Sequence, residues 1–219
     1  MLKQHMSTVL KYDPYAGVNG KYVIHSLYFD DYKDTCAREN VNGDGRRFKY
    51  RIRYYNDESN KLYLEKKEKQ YGYCYKRKCI VLPDEYKLIM NGKTTDVFWN
   101  TENPLLKEFC IDIMTKRFGP KVVINYEREA LIEEIFNIRI TFDYNITASD
   151  EFDHFLDGDY LKIPILEKGM HVLEVKFDEL FPSYIRLILQ SNALQQQSFS
   201  KYYLGRIAIQ ERAKQNEYL

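Results

Sequence analysis

Glu65, Asp143 and Glu174 each sit in a segment that alternates apolar and polar residues, and each shares its side of the segment with Arg or Lys. In LYLEKKEK, Tyr63, Glu65, Lys67 and Lys69 lie opposite Leu62 and Leu64. In NIRITFDYNI, Arg139, Thr141, Asp143 and Asn145 oppose Ile138, Ile140, Phe142, Tyr144 and Ile146, and in HVLEVKFD, Glu174, Lys176 and Asp178 oppose Leu173, Val175 and Phe177. RRFKYRIRYY is the most cationic case, with Arg47, Lys49, Arg51 and Arg53 on one side and Phe48, Tyr50, Ile52 and Tyr54 on the other. Arg grips phosphate oxygens with two parallel hydrogen bonds, Lys supplies a compact charge, and a carboxylate holds a hard cation such as Mg2+ or Mn2+. The mixture suits a triphosphate or a longer phosphate chain that carries a divalent cation. Taken singly, each of these residues reads better as half of a cross-strand salt bridge, so the phosphate reading rests on the set.

The period of two assigns these segments to β-strands, because successive side chains of a strand point to opposite faces. YVIHSLYFD and VVINYER add two more, the second with Tyr126 and Arg128 on one side, so at least six strands are expected. Helices are expected near Leu2–Leu10, over Pro104–Phe118 with Gly119 as its stop, from about Pro182 to Leu189 and from about Ser200 to Lys214. Two architectures satisfy the pattern. One is a closed antiparallel barrel with a charged, hydrophilic interior and helices packed outside; the other is an ordinary sheet with one face packed and one face wet. Periodicity alone does not decide between them.

Composition narrows the function classes. The chain has 219 residues, 44% hydrophobic and 15% aromatic, enough for a core, and no linker or repeat divides it, so a single domain over residues 1–219 is expected. Lys plus Arg (33) nearly balance Asp plus Glu (32), so any basic site is local and a general nucleic-acid binder is disfavoured. No apolar run reaches the roughly 20 residues that cross a bilayer. Cys36, Cys74, Cys79 and Cys110 form no C-x-x-C pair, which points to reduced thiols in a cytoplasm. NGKTT lacks the first glycine of a phosphate-binding P-loop, the histidines lack zinc spacing, and EFDHFLDGD lacks the ligand order of a calcium loop.

Seven strings carry a family resemblance: SLYFD (26–30), KYRIRYY (49–55), LEKK (64–67), YERE (126–129), RITFD (139–143), LEVKF (173–177) and FSKY (199–202). In this order and spacing they resemble the VTC domain, the polyphosphate polymerase module of the triphosphate tunnel metalloenzymes, or CYTH superfamily. The resemblance runs from about Lys21 to about Arg206. It implies an α+β fold in which antiparallel strands enclose a charged tunnel, and a reaction that moves the γ-phosphate of ATP onto a growing inorganic polyphosphate chain with Mn2+ or Mg2+. By the same resemblance Arg51 and Arg53 hold phosphates, with Lys67, Lys76, Arg128, Arg139, Lys176 and Lys201 as further ligands, Tyr126 and Ser200 beside them, and Glu174 as the metal carboxylate. Arg51, Arg53, Glu174 and Lys201 are the residues expected to carry the chemistry, and Arg77 and Lys78 are alternatives to Lys76.

Family members usually begin with a further charged strand for which this chain has no room before its first helix, so truncation or an opened barrel is expected. Two other functions share the same charged face: hydrolysis of a triphosphate or a nucleotidyl cyclase reaction, and polyphosphate binding without turnover.

Overall fold

A computed structural model describes residues 2–14, 16–17, 20–178, 180–190 and 194–217. In chain order the elements are α1 (Leu2–Ser7), β1 (Lys11–Tyr12), β2 (Lys21–Asp30), α2 (Thr35–Asn42), β3 (Arg46–Tyr55), β4 (Leu62–Gln70), β5 (Tyr73–Val81), α3 (Pro83–Met90), α4 (Thr94–Asn100) and α5 (Pro104–Lys116). They continue with β6 (Gly119–Glu133), β7 (Ile138–Ser149), β8 (Ile163–Pro164), β9 (Val172–Lys176), α6 (Ser183–Leu189) and α7 (Lys201–Glu217). The chain forms two compact units. The larger contains Ile24–Asn125, Thr147–Ile165 and the segment from Ser200 onward; the smaller contains the residues up to Val23, Tyr126–Ile146 and Leu166–Phe199. No helix among the described residues is long and apolar enough to cross a membrane.

In the larger unit β5, β4, β3 and β2 are neighbours in that order. The β2/β3, β3/β4 and β4/β5 ladders are antiparallel, and the last is closed by a two-residue turn in which Tyr71 (φ 47°) and Gly72 (φ 96°) both adopt positive φ, as a right-twisted hairpin requires. Tyr50, Ile52, Tyr54, Leu62, Leu64, Cys79 and Val81 turn one face of β3–β5 into the core, where Tyr86 and Ile89 of α3, Val97 of α4 and Leu105, Leu106 and Phe109 of α5 cover it. Asn103 caps α5 by accepting from the amides of Leu105 (3.0 Å) and Leu106 (3.3 Å), with Pro104 in the tolerated first turn. The helix ends at Arg117, which takes the left-handed conformation itself, and Gly119, expected as the stop, instead opens β6.

The expected closed barrel does not form. The sheet is open, with β5 hydrogen-bonded to β4 alone at one end of the order, and Tyr73 to Lys78 of that strand are all exposed. Lys76, Arg77 and Lys78 follow one another along this edge, and a run of cations on an edge strand opposes the arrival of another strand. The period-two pattern fixes which side chains share a face and is satisfied by an open sheet as well as by a closed one. The charged face is therefore one side of a helix-backed sheet, not an enclosed interior.

Asp30, at the end of β2 and 0% exposed, organises the rest of this unit. Its Oδ1 accepts from the amide of Cys36 (2.9 Å), and its Oδ2 accepts from the amide of Ala37 (3.0 Å) and the hydroxyl of Tyr202 (2.7 Å). One carboxylate thus satisfies the first turn of α2 and anchors α7. In the smaller unit β1 pairs with β6 and β9 with β7, and Met6, Leu10, Leu131, Ile138, Ile140, Phe142 and Ile185 form the core.

Helix α7 approaches the larger unit through Gly205. A Cβ built there would collide with Ile124 Cδ1 and lie 3.3 Å from both Val122 Cγ2 and Ala148 Cβ. Val122, Ile124 and Ala148 are fully or almost fully buried, so any shift of the Ile124 methyl must be taken up by packed neighbours. Gly205→Ala is therefore expected to destabilise the fold by about 1–3 kcal/mol despite alanine's better helix propensity. Urea denaturation measures it, and an unchanged or raised midpoint would show that the helix can shift outward.

Candidate functional site

Cross-strand partners in an antiparallel ladder share a face, and the register of the larger unit therefore assembles its polar face directly. Ser26 lies opposite Arg53 and Tyr28 opposite Arg51; Arg51 lies opposite Glu65, Lys49 opposite Lys67 and Arg47 opposite Lys69; Glu65 lies opposite Lys78 and Lys67 opposite Lys76. On this face, β3–β5 thus present Arg47, Lys49, Arg51, Arg53, Lys67, Lys69, Lys76 and Lys78 against a single carboxylate, Glu65.

Glu65 is 1% exposed and binds three of those cations. Arg51 reaches Oε2 through Nε (2.8 Å) and Nη2 (2.6 Å), Arg53 Nη1 stands 3.8 Å from the same oxygen, and Lys76 Nζ lies 2.7 Å from Oε1. Burial alone would push the Glu65 carboxyl upward, but Arg51, Arg53 and Lys76 overcome it and hold the pKa at about 2. Arg53 Nε also donates to Ser26 Oγ at 2.9 Å, which fixes its guanidinium. The structure thus brings Arg51, Arg53, Lys67 and Lys76 onto one surface, and Lys78 shares it. Arg77 belongs to the other face, where it pairs with Glu68 (2.9 Å) and Glu108 (2.7 Å).

Tyr28 is a member of this face that the charge pattern did not single out. Its hydroxyl accepts from Arg51 Nη1 at 3.0 Å, and its ring stacks on Tyr202 at 5.2 Å between centroids. Burial favours the neutral phenol, yet Arg51, Lys49 and Arg53 together bring its pKa down to about 7. The signal was present in SLYFD, since Tyr28 shares the parity of Ser26 and Asp30, but only the register shows that it faces Arg51.

The smaller unit holds the second set of expected residues, with a different electrostatic balance. Arg128 grips Asp143 with both arms of its guanidinium (Nε–Oδ1 2.6 Å, Nη2–Oδ2 2.8 Å), and Asp143 is 0% exposed. The Arg128 guanidinium lies 5.2 Å from the centre of the Tyr126 ring. Arg139 Nη2 meets Asp13 at 2.6 Å and Tyr22 Oη at 3.1 Å, and Lys176 Nζ stands 3.4 Å from Glu174. Each cation here has a carboxylate of its own. Asp143, grouped by its sequence pattern with the carboxylates able to hold a metal, instead has both oxygens engaged by Arg128.

Glu174 keeps the accessible carboxylate, with its side chain 39% exposed and Arg128 Nη2 at 3.9 Å. Directly opposite it in the β7/β9 ladder is Thr141, whose buried Oγ1 has no hydrogen-bond partner among the described residues. An orphaned hydroxyl beside a reachable carboxylate is a hard-oxygen environment that fits Mg2+ or Mn2+. No cluster of three or more His, Cys, Asp or Glu ligands occurs among the described residues, so the remaining ligands would be water and substrate phosphates, the usual arrangement for Mg2+.

Of the last two expected residues, Ser200 is the N-cap of α7: its carbonyl accepts from the Leu204 amide at 3.0 Å and its Oγ from the Tyr203 amide at 3.4 Å. Lys201 is the first residue of that helix and half-buried.

Two measurements check this geometry. Glu65→Gln removes the charge shared by Arg51, Arg53 and Lys76, and is expected to cost about 3 kcal/mol in urea denaturation near neutral pH, because cations at least partly out of water lose their counter-ion. In the wild type the depressed pKa makes this contribution complete above the ordinary carboxylate range and lost as pH falls toward 2. A variant as stable as the wild type would show that the pair is replaceable. The absorbance of ionised tyrosine is expected to show one group titrating near pH 7, absent from Tyr28→Phe. If the first tyrosine ionised only near pH 10, Arg51 would not control the hydroxyl.

Comparison with known proteins places the chain. Three solved structures show distant backbone likeness: a candidate adenylate cyclase of Bacillus halodurans (TM-score 0.46, 11% identity, covering 86% of this chain and 79% of that one); a candidate adenylyl cyclase of Hippeastrum with a dominant triphosphatase activity (TM-score 0.47, 13% identity, 86% and 79%); and the PH1819 protein of Pyrococcus horikoshii (TM-score 0.39, 10% identity, 86% and 78%). No curated protein sequence matches the chain significantly. The sequence matches the VTC domain over residues 1–209, almost its whole length, and the chain belongs to the VTC domain family.

Proposed function

We propose that the protein binds the phosphate chain of a triphosphate on the β3–β5 face and cleaves it by metal-assisted transfer of a phosphoryl group to water. The observation that carries this reading is the charge inventory of that face: many cations, one carboxylate, and that carboxylate already neutralised by Arg51, Arg53 and Lys76. Phosphoryl transfer asks for little covalent help from a protein; it needs the phosphate chain held in line and its developing charge neutralised. Arg51 and Arg53, pre-oriented by Glu65, Tyr28 and Ser26, are positioned to do this without reorganising on binding. Lys67 and Lys76 add mobile positive charge from the neighbouring strands.

In the smaller unit Glu174, with Thr141 beside it, would hold a divalent cation. Hydrolysis is favoured over chain elongation because the excess cations form one short cluster on three adjacent strands. Elongation must hold a donor and a long acceptor together, whereas in the smaller unit Arg128, Arg139 and Lys176 are each matched by a carboxylate. Free thiols at all four cysteines suit a reducing, cytoplasmic setting.

The test is turnover of inorganic triphosphate and of ATP with Mg2+ or Mn2+, following free phosphate, ADP and acid-labile polymer separately. Free phosphate without polymer is expected, lowered at least about 100-fold by Arg51→Ala with Arg53→Ala and made insensitive to metal by Glu174→Gln, with circular dichroism confirming the fold. Polymer accompanied by equivalent ADP would replace this reading with elongation, and tight binding without turnover would replace it with a binding module.

A further inference from the structure

The β4–β5 hairpin carries an exposed aromatic tip that the basic face does not use. Tyr71 in its turn and Tyr73 and Tyr75 on β5 are 71%, 72% and 54% exposed. Tyr73 and Tyr75 alternate with Cys74, Lys76 and Lys78, so they lie on the side of the strand opposite Lys76. The Arg46 guanidinium stands 5.0 Å from the centre of the Tyr71 ring, and Phe118, stacked on Phe48 at 5.8 Å, sets Arg117 at the same end of β3. Neither Arg46 nor Arg117 forms an ion pair among the described residues. Glu68, opposite Tyr75, is already occupied by Lys66 (3.2 Å) and Arg77 (2.9 Å). The tip therefore offers rings, hydroxyls and surplus positive charge, and Tyr and Arg are the residues enriched among the anchors of protein interfaces.

The far end of the same strands carries the opposite charge. Residues 150–159, DEFDHFLDGD, hold five carboxylates and no Lys or Arg. Asp150, Glu151, Asp153, Asp157 and Asp159 are exposed, and among the described residues their one ion pair is that of Asp157 with His154 at 3.9 Å. The segment is firmly held: the buried Phe155 accepts from Tyr54 Oη through its carbonyl at 2.8 Å, and the Tyr160 hydroxyl meets His25 Nδ1 at 2.8 Å. Between the carboxylates Phe152 and Leu156 are only partly buried, and Leu161 is exposed. Tyr54 stands eight residues along β3 from Arg46, a separation of about 26 Å, so the tip and the acidic segment of one chain cannot neutralise each other.

We infer that the tip of the β4–β5 hairpin, through Tyr71, Tyr73, Tyr75 and Arg46, docks on the acidic segment 150–159 of a second copy of this chain. The match is chemical as well as electrostatic: phenol hydroxyls and a guanidinium donate to carboxylates, while the rings cover Phe152 and Leu156. A bare inorganic anion would leave those rings without a partner. Three rings on one short segment make a contact at the small end of the roughly 1,200–2,000 Å² of a stable complex, so the association depends on concentration. It uses neither Arg51 nor Glu174 and goes beyond the proposed reaction.

The experiment is sedimentation equilibrium of the full chain at about 0.05 M and about 0.5 M salt. At low salt the average mass of the wild type is expected to rise above that of one chain as concentration increases, and at high salt to return to it. Arg46→Glu with Tyr73→Ser and, separately, Asp153→Lys with Asp157→Lys change exposed side chains only, and circular dichroism checks that each pair leaves the fold intact. Each variant is expected to stay monomeric where the wild type associates, and an equimolar mixture of the two to associate again, because one keeps the acidic segment and the other keeps the tip. A wild type that is monomeric throughout, association that neither salt nor either variant weakens, or a mixture that stays monomeric would overturn the inference. Capture of poly-glutamate by a wild type that does not self-associate would also overturn it, by assigning the tip to a different acidic partner.

Discussion

A carboxylate that is 1% exposed in the middle of a strand has to be neutralised where it lies, and the larger unit is built around the way Glu65 meets that demand. Leaving such a charge unpaired would cost several kcal/mol. Its partners come from both neighbours, Arg51 and Arg53 from β3 and Lys76 from β5, so one anion stitches three strands on their polar face. The same contacts fix the guanidinium planes. Among β3–β5 themselves three cations share one carboxylate, so these strands present more positive than negative charge on that face.

The smaller unit shows what the same amino-acid types do under a different pairing. Arg128 and Asp143 close on each other with two short hydrogen bonds, and Arg139 spends its charge on the buried Asp13. Sequence alternation alone does not separate the two outcomes. In both units a strand carries cations on one side and apolar residues on the other, and only the register decides how many carboxylates fall within reach. Glu65 faces a cation on each flanking strand, whereas Glu174 faces Thr141 and keeps an accessible edge.

This is also why the sequence disclosed which side chains share a face better than it disclosed the architecture. The parity of Arg51, Arg53, Glu65 and Lys67 is a local property of two strands and is realised as expected. Closure of the sheet depends on whether two distant edges meet, and nothing in a period of two encodes that. The strand β5 is hard to read because Tyr73 to Lys78 are exposed on both faces, and only Cys79 and Val81 at its end mark the buried side. Its turn was equally obscure, with Tyr71 in a position where Asn or Gly is the usual sign. Helix α2 was hidden for another reason. Asp34, at its N-cap, makes no side-chain bond to the helix, and the amides of Cys36 and Ala37 are satisfied by Asp30 from the preceding strand.

The bond from Tyr202 to Asp30 joins residues 172 positions apart. The β3–β4–β5 meander needs only contacts between neighbours in sequence, and loops this short close quickly and at little entropic cost. It can therefore assemble on a nascent chain as soon as its own residues are free. Asp30 cannot complete its set of partners until α7 has been synthesised, so β2 and α2 wait, partly satisfied, through most of translation. The strands of the basic face are in this sense the early part of the fold, and the helix that anchors on Asp30 is the late one. A chain halted before Tyr202 would display the basic face while leaving a buried carboxylate one hydrogen bond short.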